Sequence, residues 1–396
     1  MFVHRSAFAL LFALLLSSGS AMAEQSPSFK HSATVSAKSV ASVFATVATH
    51  DFHPLNAAGT FTEDRRLSTH GIADLNDQDW RVRTLAVRDL VRIAMKDGAA
   101  VQQGLTHENL HVRHLTATAL GIVGESDAVP ALAVAAQSDP SSLVRSQAAI
   151  ALGQITAVSA SELLKTIATE DPAKDVRHQA ALSLDQISKR MGVTHDYRQA
   201  WLDLDPATFG RVASGDRAPR FSLPDTEDRP WALDEQLDKG WVVLIWIFAD
   251  WCPVCHSEFD ELIELHKDFE AADIQPVTLE AHDRYRARVM VGKEMEPDYW
   301  FADEPFHQVY TEKVRWPHLR DAAGSVGATY GIDPMAFAVH SEPINRPSVV
   351  IIDPEGIVRF AYFGTYWGDR PSIREVLELI KSENFEFQHP KRLPSE

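Results

Sequence analysis

A repeated segment in the amino-terminal half constrains the fold of this chain more than any other feature of its sequence. Four copies, all between residues 77 and 184, align without gaps, and each carries a Val-Arg pair at the same place and a leucine seven residues after the arginine. The arginines follow one another at intervals of 30, 32 and 32 residues, from Arg83 through Arg113 and Arg145 to Arg177. Apolar helical patterns separate the copies. A period of this length predicts stacked helix pairs that bury Leu, Ala and Val against neighbouring pairs.

The four copies resemble HEAT-type helical repeats in their short, alanine-rich form, and we place the repeats at residues 67–192. Such repeats form a right-handed stack that commonly offers a concave surface, so the resemblance implies docking of a partner protein on the repeats. An aspartate stands six residues before the arginine in three of the copies, and His107 replaces it in the remaining one, the second along the chain. We expect these aspartates to line up between adjacent units in a polar ladder that is imperfect at His107.

The first 23 residues have the three-part pattern of a secretory signal peptide. Basic His4 and Arg5 precede an apolar run from Ala7 to Leu16, and small residues complete the pattern. No later stretch is long and apolar enough to span a bilayer, so we expect a periplasmic or secreted protein without a membrane span once the peptide is removed. Residues 24–66 are rich in Ser, Ala, Thr and His and predict a linker or poorly ordered arm. The net charge of −17 argues against a nucleic-acid partner.

Beyond a connector at residues 193–211, the pattern changes from helical to alternating β and α. A continuous apolar run from Trp241 to Phe248 predicts a buried central strand, and Pro253 to about Glu270 has helical periodicity. Two strands around the turn at residues 353–356 and a last helix follow. We therefore predict a multidomain chain, in which an α-helical repeat solenoid precedes an α/β domain. The predicted boundaries are 212–384 for that domain and 385–396 for a tail.

The only two cysteines, Cys252 and Cys255, stand three positions apart. A disulfide scaffold would spread several cysteines along an exported chain, and a bridge over so short a loop stabilises little, so the pair indicates chemistry rather than structure. The pair follows the predicted central strand and opens a helix, where unpaired N–H groups and the helix dipole favour a thiolate. We expect Cys252 to attack a disulfide and Cys255, one turn further in, to resolve the mixed disulfide.

Residues 212–384 are similar to the thioredoxin superfamily, and within it to the redoxin branch of TlpA/ResA-like oxidoreductases and AhpC/TSA-type peroxiredoxin-like proteins. The stretches that carry the resemblance are Ala218 to Leu223, Ala249 to Cys255 and Arg346 to Gly356. The resemblance implies a thioredoxin fold and a thiol–disulfide oxidoreductase activity. It further implies a protein thiol or disulfide as substrate, a redox partner protein, and no cofactor.

The same resemblance implies three further site residues. Pro347 corresponds to the cis-proline beside the active disulfide, where it would orient substrate by presenting the backbone of Arg346 to an incoming peptide. Glu258, three residues after Cys255 on the same helical face, corresponds to a glutamate that assists proton transfer, and burial would raise its pKa. Arg346 lies where peroxiredoxins keep a cysteine-activating arginine. Trp246 stands where thioredoxin has a buried aspartate, which makes Glu258 the more important proton carrier.

Three alternatives stay open. The first is a thiol-dependent peroxidase of the AhpC/TSA type, although Ile245 and Ala249 stand where peroxiredoxins keep Pro and Thr or Ser. The second is a repeat-based binding scaffold whose disulfide is inert. The third is copper delivery by the two cysteines and His340. Because the cysteine spacing and the position of His340 both differ from the copper-delivery family, we expect no metal site.

Residues 281–345 are longer than the redoxin resemblance needs. This insert is rich in aromatic residues and histidine, and we interpret it either as a lid or partner surface near the disulfide or as additional aromatic core. Its members are Trp300, Phe301, Phe306, His307, Tyr310, Trp316, His318 and His340.

Overall fold

The computed structural model of the protein describes residues 80–294, 314–332, 337–339, 342–364 and 369–387. None of the helices in this described part of the chain combines the length and the apolar content needed to cross a membrane. Several features predicted from the sequence lie outside the described residues. These are the signal peptide at 1–23, the arm at 24–66, Asp77 of the first repeat copy, and Trp300, Phe301, Phe306, His307, Tyr310 and His340 of the insert.

The repeats fold as a stack of helices with short connections. The bounds are α1 (Trp80–Ala94), α2 (Gly98–Gln102), α3 (Leu110–Val123), α4 (Val129–Ser138), α5 (Ser142–Gln154), α6 (Ser161–Glu170) and α7 (Lys174–Ser188). Helices α1, α3, α5 and α7, which carry the Val-Arg pairs, pack side by side in that order. Their Leu, Val and Ala side chains form one buried core. The helical region predicted from the repeat period is therefore confirmed.

A ladder of ion pairs joins successive repeats. The guanidinium of Arg113 donates to both carboxylate oxygens of Asp139, at 2.7 and 3.1 Å, and Arg145 donates to both of Asp171, at 2.8 and 2.9 Å. Asp139 and Asp171 each accept a hydrogen bond from the backbone N–H two residues later, and at His107 the ring Nδ1 takes that role. The ladder expected between units is thus present, and it pairs the arginine of one repeat with the aspartate of the next.

The segment predicted as a connector contains a helix, α8 (His195–Leu202). The Thr194 side chain caps it by accepting a hydrogen bond from the backbone N–H of Tyr197. Tyr197 and Trp201, one turn apart on this helix, are buried in the core of the repeats. Two aromatic residues at this spacing give the helix an apolar face. The first part of the connector therefore completes the repeat stack.

A mixed five-stranded sheet organises the carboxyl-terminal half, and its strand order is β5-β4-β3-β8-β9. Strands β3, β4 and β5 are parallel, whereas β8 runs antiparallel to both β3 and β9. The separate antiparallel pairs β1-β2 and β6-β7 lie outside this sheet. The strands are β1 (Ser222–Pro224), β2 (Pro230–Ala232), β3 (Trp241–Trp246), β4 (Ile274–Glu280), β5 (His318–Arg320), β6 (Phe337–Val339), β7 (Glu342–Ile344), β8 (Ser348–Ile352) and β9 (Val358–Phe363).

Among the described residues, five α-helices accompany the strands and complete the thioredoxin-like domain predicted from the sequence. They are α9 (Asp234–Leu237), α10 (Pro253–Ala271), α11 (Arg284–Met290), α12 (Ser325–Tyr330) and α13 (Ile373–Ser382). The side chains of β3 alternate between two apolar layers. Val243 and Ile245 pack with Phe259 of α10, and Val242 and Leu244 lie in the layer on the other face. A strand that is covered on both faces reads as a continuous apolar run.

The described part of the insert contributes to the framework of this domain. Its strand β5 extends the sheet, and Trp316 just before it packs against Phe259 with ring centroids 5.0 Å apart. His318 of β5 is buried and pairs with Thr278 of β4. The ring of Phe385, in the predicted tail, packs against that of Trp241 at a tilt of 32°, with the centroids 5.9 Å apart. The described residues Trp316 and His318 therefore agree with the interpretation of the insert as additional core.

Candidate active site

The two cysteines lie where the central strand meets α10. Ile247, just past β3, still donates its N–H to Leu279 of β4 at 3.0 Å, and the chain then turns away from the sheet. Cys252 is the N-cap of α10, with φ −79° and ψ 119°, and its N–H donates to the carbonyl of Ala249 at 3.1 Å. Cys255 follows one turn into the helix. The placement expected for the pair, a thiol at a helix start after a buried strand, is what the structure has.

Both thiols are free and buried, with 1% of Cys252 and 0% of Cys255 exposed. The sulfur of Cys255 accepts hydrogen bonds from the backbone N–H of Phe248 and from Nη2 of Arg370, each at 3.2 Å. It also accepts a hydrogen bond from the thiol of Cys252. Donors and positive charge therefore converge on Cys255.

The pKa values of the two thiols move in opposite directions. Burial by itself raises the pKa of Cys255, but the hydrogen bond from Cys252 and the charge of Arg370 outweigh burial and lower this pKa to about 5. Burial and the hydrogen bond to Cys255 both raise the pKa of Cys252 well above its usual value. The sequence led us to expect the lowered pKa at Cys252. It falls on Cys255 because the arginine and two hydrogen-bond donors contact that sulfur.

Glu258, one turn after Cys255 on α10, is buried beside the thiolate. Its Oε1 lies 2.9 Å from Nε of Arg370. Burial raises the pKa of Glu258 to about 8, with the charge of Arg370 opposing this rise and that of Cys255 adding to it. At neutral pH, Glu258 therefore holds a proton while Arg370 neutralises Cys255. A carboxyl group tuned in this way suits proton transfer near neutral pH.

Arg370 is the site residue that the sequence analysis missed. It follows Asp369, which accepts a hydrogen bond from the hydroxyl of Tyr362 on β9 at 2.5 Å. Helix α13 begins three residues after Arg370, with a capping box between its N-cap Ser372 and Glu375. The end of β9 and the start of α13 therefore hold Arg370 in place. Because it lies 115 residues from Cys255 in sequence, no local spacing announces it.

Arg346 and Pro347 lie at the end of the sheet where the cysteine loop begins. The β3-β8 ladder ends at Trp246 opposite Ser348, so the two residues before Ser348 run alongside the start of that loop. Arg346 is half-buried and Pro347 is buried. Arg370 donates a hydrogen bond to the sulfur of Cys255, and the cysteine-activating role expected for Arg346 stays a prediction.

The resemblance implied a cis peptide bond before Pro347, and this expectation is wrong. The described residues contain no cis peptide bond. The carbonyl of Pro347 accepts a hydrogen bond from the N–H of Gly364 at 2.8 Å, so the chain already runs beside the end of β9 as it enters β8. A trans bond, favoured before proline by about 0.5–1 kcal/mol, fits this extended path.

Within the described ranges, no three His, Cys, Asp or Glu side chains come together in a way that would hold a metal ion. The third ligand of the copper-delivery alternative, His340, lies outside those ranges. The described side chains that meet at the site are two thiols, the guanidinium of Arg370 and the carboxyl group of Glu258.

Profiles of two protein families match the two halves of the chain. The AhpC/TSA family matches residues 214–361. The HEAT repeat family matches residues 72–142 and 98–185. The crystal structure of peroxidoxin BcpB from Mycobacterium tuberculosis is also similar, with a TM-score of 0.34 and 19% identity, over 43% of this chain and 98% of that chain.

Relatives of two kinds share the carboxyl-terminal half. The thiol:disulfide interchange protein DsbE of Allochromatium vinosum is 33% identical over 91 residues, which are 21% of this chain and 50% of that protein. Peroxiredoxin 2 of Thermoplasma acidophilum is 27% identical over 182 residues, which are 46% of this chain and 81% of that protein. The chain therefore spans half the length of the first relative and most of the second.

Proposed function

The carboxyl-terminal part of this chain is an AhpC/TSA redoxin domain of the thioredoxin superfamily that follows HEAT repeats, and on that basis we propose that it is a thiol–disulfide oxidoreductase. The observation that carries the proposal is the convergence of two sulfurs, an arginine and a carboxyl group in one buried site. Arg370 contacts both the sulfur of Cys255 and the carboxyl group of Glu258. Such a site can hold a thiolate and store a proton at the same time.

In the proposed first step, Cys252 attacks a substrate disulfide. The thiolate of Cys255 already accepts the hydrogen bond of the Cys252 thiol, so it takes that proton as the new S–S bond forms. The substrate S–S bond breaks, and its leaving sulfur takes the proton of Glu258. The carboxylate of Glu258 then pairs with Arg370.

In the second step, Cys255 attacks the sulfur of Cys252 in the mixed disulfide. Its proton passes through Glu258 to the second leaving sulfur. Over both steps the substrate disulfide gains two electrons and two protons and becomes two thiols, while Cys252 and Cys255 become a disulfide. The two protons come from Cys252 and Glu258, and the reverse sequence would oxidise a dithiol substrate.

The test is the reduction potential of the pair in the full-length protein, measured by equilibration with a glutathione series and thiol trapping. A potential between about −120 and −270 mV, the span of known exchange proteins, supports exchange. The Cys255→Ser variant should then accumulate a mixed disulfide on Cys252. A potential below about −300 mV, with thiols that form no mixed disulfide in the native protein, would mark an inert bridge and leave a repeat-based binding scaffold.

A thiol-dependent peroxidase is the second candidate, and the burial of both sulfurs favours it. A peroxide is small enough to reach a sulfur that a folded protein substrate reaches only after the site opens. The thiolate would attack one peroxide oxygen, giving a sulfenic acid and an alcohol or water, and the second thiol would then form the disulfide with loss of water. Turnover of hydrogen peroxide with dithiothreitol, lost in Cys255→Ser, separates this reaction from disulfide exchange.

Export and partner docking complete the proposal. Residues 1–23 are proposed to direct export to the periplasm or the medium, where disulfide exchange is permitted. Sequencing of the amino terminus of the exported protein checks this, and a mature chain that still begins at Met1 would contradict it. The HEAT repeats are proposed to dock a redox partner protein on surface that the redoxin domain leaves open.

A further inference from the structure

The repeats contact the redoxin domain through α11, the first helix described in the insert. Asp283 caps this helix by accepting hydrogen bonds from the N–H groups of Tyr285 and Arg286 with one carboxylate oxygen. Its other oxygen accepts from the side chains of Gln154 and Gln186, at 3.2 and 3.3 Å. Both glutamines belong to the repeats, on α5 and α7. The position of α11 is therefore set from the repeat side.

Arg286 of α11 connects the repeats to the cysteine loop. Its Nε and Nη2 donate to the two carboxylate oxygens of Asp250, at 3.0 and 2.8 Å. Its Nη1 donates to Oε1 of Gln179, on α7, at 2.7 Å. All three side chains are buried. A fork of this kind uses the fixed plane of the guanidinium, so it holds Asp250 and Gln179 in a defined relative position.

Asp250 lies two residues before Cys252 and is held on a second side. Its backbone carbonyl oxygen lies 2.5 Å from Nε2 of His256, a buried residue one position beyond Cys255 on α10. The loop from Ala249 to Cys252 is thus fixed by Arg286 at the side chain of Asp250 and by α10 at its backbone. The same loop determines where the thiol of Cys252 stands relative to the sulfur of Cys255.

We propose that the HEAT repeats are part of the redox site, and that Gln179, acting through Arg286 and Asp250, positions the loop that presents Cys252 to Cys255. The inference rests on the proposed thiol chemistry and deepens it. Gln179 and Arg286 are positioning residues, since they are argued to act on the cysteines through Asp250. When the fork is broken, the loop loosens and Cys252 no longer donates its hydrogen bond steadily to the thiolate of Cys255.

The experiment titrates the thiolate in the reduced full-length protein through its ultraviolet absorbance. Gln179→Ala removes the repeat-side acceptor, and Arg286→Lys keeps the charge but loses the fork. In both variants the titration midpoint should rise by about 0.5 or more, which is about a threefold loss of thiolate below the midpoint. Arg113→Ala is the control, because it breaks the ladder inside the repeats without touching the redoxin domain.

A rise in both variants with an unchanged midpoint in Arg113→Ala supports the proposal. An unchanged midpoint in both variants overturns it, and so does an equal rise in Arg113→Ala, which would trace the effect to general loosening of the repeats. Because the titration needs no substrate, it gives its answer whether or not the protein exchanges disulfides.

Discussion

In the proposed redox cycle, Arg370 allows the site to carry a constant charge. In the reduced state its counter-ion is the thiolate of Cys255, and Glu258 is protonated. Burial is the main cause of the raised pKa of Glu258, and the thiolate charge adds to it. Oxidation removes that charge, so the pKa of Glu258 falls and the carboxyl group ionises more readily as the new partner of Arg370. An unpaired charge at this depth would be costly, and the exchange of partners avoids it in both states.

Glu258 and Cys255 have opposite effects on the way in which the stability of the reduced protein changes with pH, which leads to a prediction for Glu258→Gln. The pKa of Glu258 is raised to about 8 in the folded, reduced protein. As the pH rises from the pKa of this group in the unfolded chain towards 8, wild-type protein therefore loses stability from Glu258. The pKa of Cys255 is lowered to about 5 in the folded protein. As the pH rises from 5 to the pKa of this thiol in the unfolded chain, Cys255 therefore adds stability. The two contributions offset each other between about pH 5 and pH 8.

Glu258→Gln should therefore reveal the thiol contribution alone. The free energy of unfolding of the reduced variant should rise with pH in this interval more steeply than that of wild type, by at most about 1.4 kcal/mol per pH unit, because the other titrating groups are common to both proteins. Urea unfolding with a reductant present, repeated from pH 5 to pH 8, measures this. In the matched variant Cys255→Ser, the free energy of unfolding should change relative to wild type in the opposite direction, falling as the pH rises. Parallel curves for wild type and Glu258→Gln would show that the carboxyl group is not held protonated.

At the scale of elements, the sequence predicts well where local pattern decides. The run from Trp241 to Phe248 becomes β3, and the helix predicted from Pro253 becomes α10, since apolar periodicity and the break at Cys252 fix both. Strand β5 and helix α11 were not predicted, because each is short and owes its position to contacts with distant segments. Arg370 was missed for the same reason, since only the fold brings it to Cys255.

The ladder between repeat elements predicts a large effect for Arg145→Ala. Its partner Asp171 has a side chain that is only 7% exposed, so the substitution leaves a buried carboxylate without its arginine. We expect the free energy of unfolding to fall by about 3–5 kcal/mol. The free energy of unfolding of Arg145→Lys should lie between those of wild type and Arg145→Ala, because an ammonium group keeps the charge but cannot bind both carboxylate oxygens in the same plane. Urea unfolding of the full-length variants measures both.

Lys165→Ala is the control for the ladder, because Lys165 pairs with Glu162 on the same repeats but 60% of its side chain is exposed. Its effect should stay within about 0.5 kcal/mol. If Arg145→Ala were as mild as this surface substitution, the ladder would be a geometric regularity without a role in stability.

At the scale of the whole molecule, the repeats and the redoxin domain share buried contacts instead of being joined only by a connector. Ala323, next to α12, is buried in the core of the repeats. Leu182 of α7 packs with Tyr285 and Val289 of α11 in a small apolar cluster of its own. The hydroxyl of Tyr285 also donates to Asp185 of the repeats at 2.8 Å. A surface that is already occupied by α11 is closed to a docking partner, so the proposed docking is confined to other faces of the repeats.

These contacts predict that the two parts unfold together. Far-ultraviolet circular dichroism reports mainly on the helical repeats, while labelling of Cys252 and Cys255, the only cysteines, reports on the redoxin domain. In wild type the urea midpoints from the two probes should coincide. Leu182→Ala empties the small cluster between the parts and should separate the two midpoints. Leu152→Ala should instead lower both together, because it costs the repeat core about 2–5 kcal/mol while leaving the contact between the parts in place. Separate midpoints in wild type would mean that the contact is too weak to couple the parts, and the repeats would then lack the rigidity needed to position the cysteine loop.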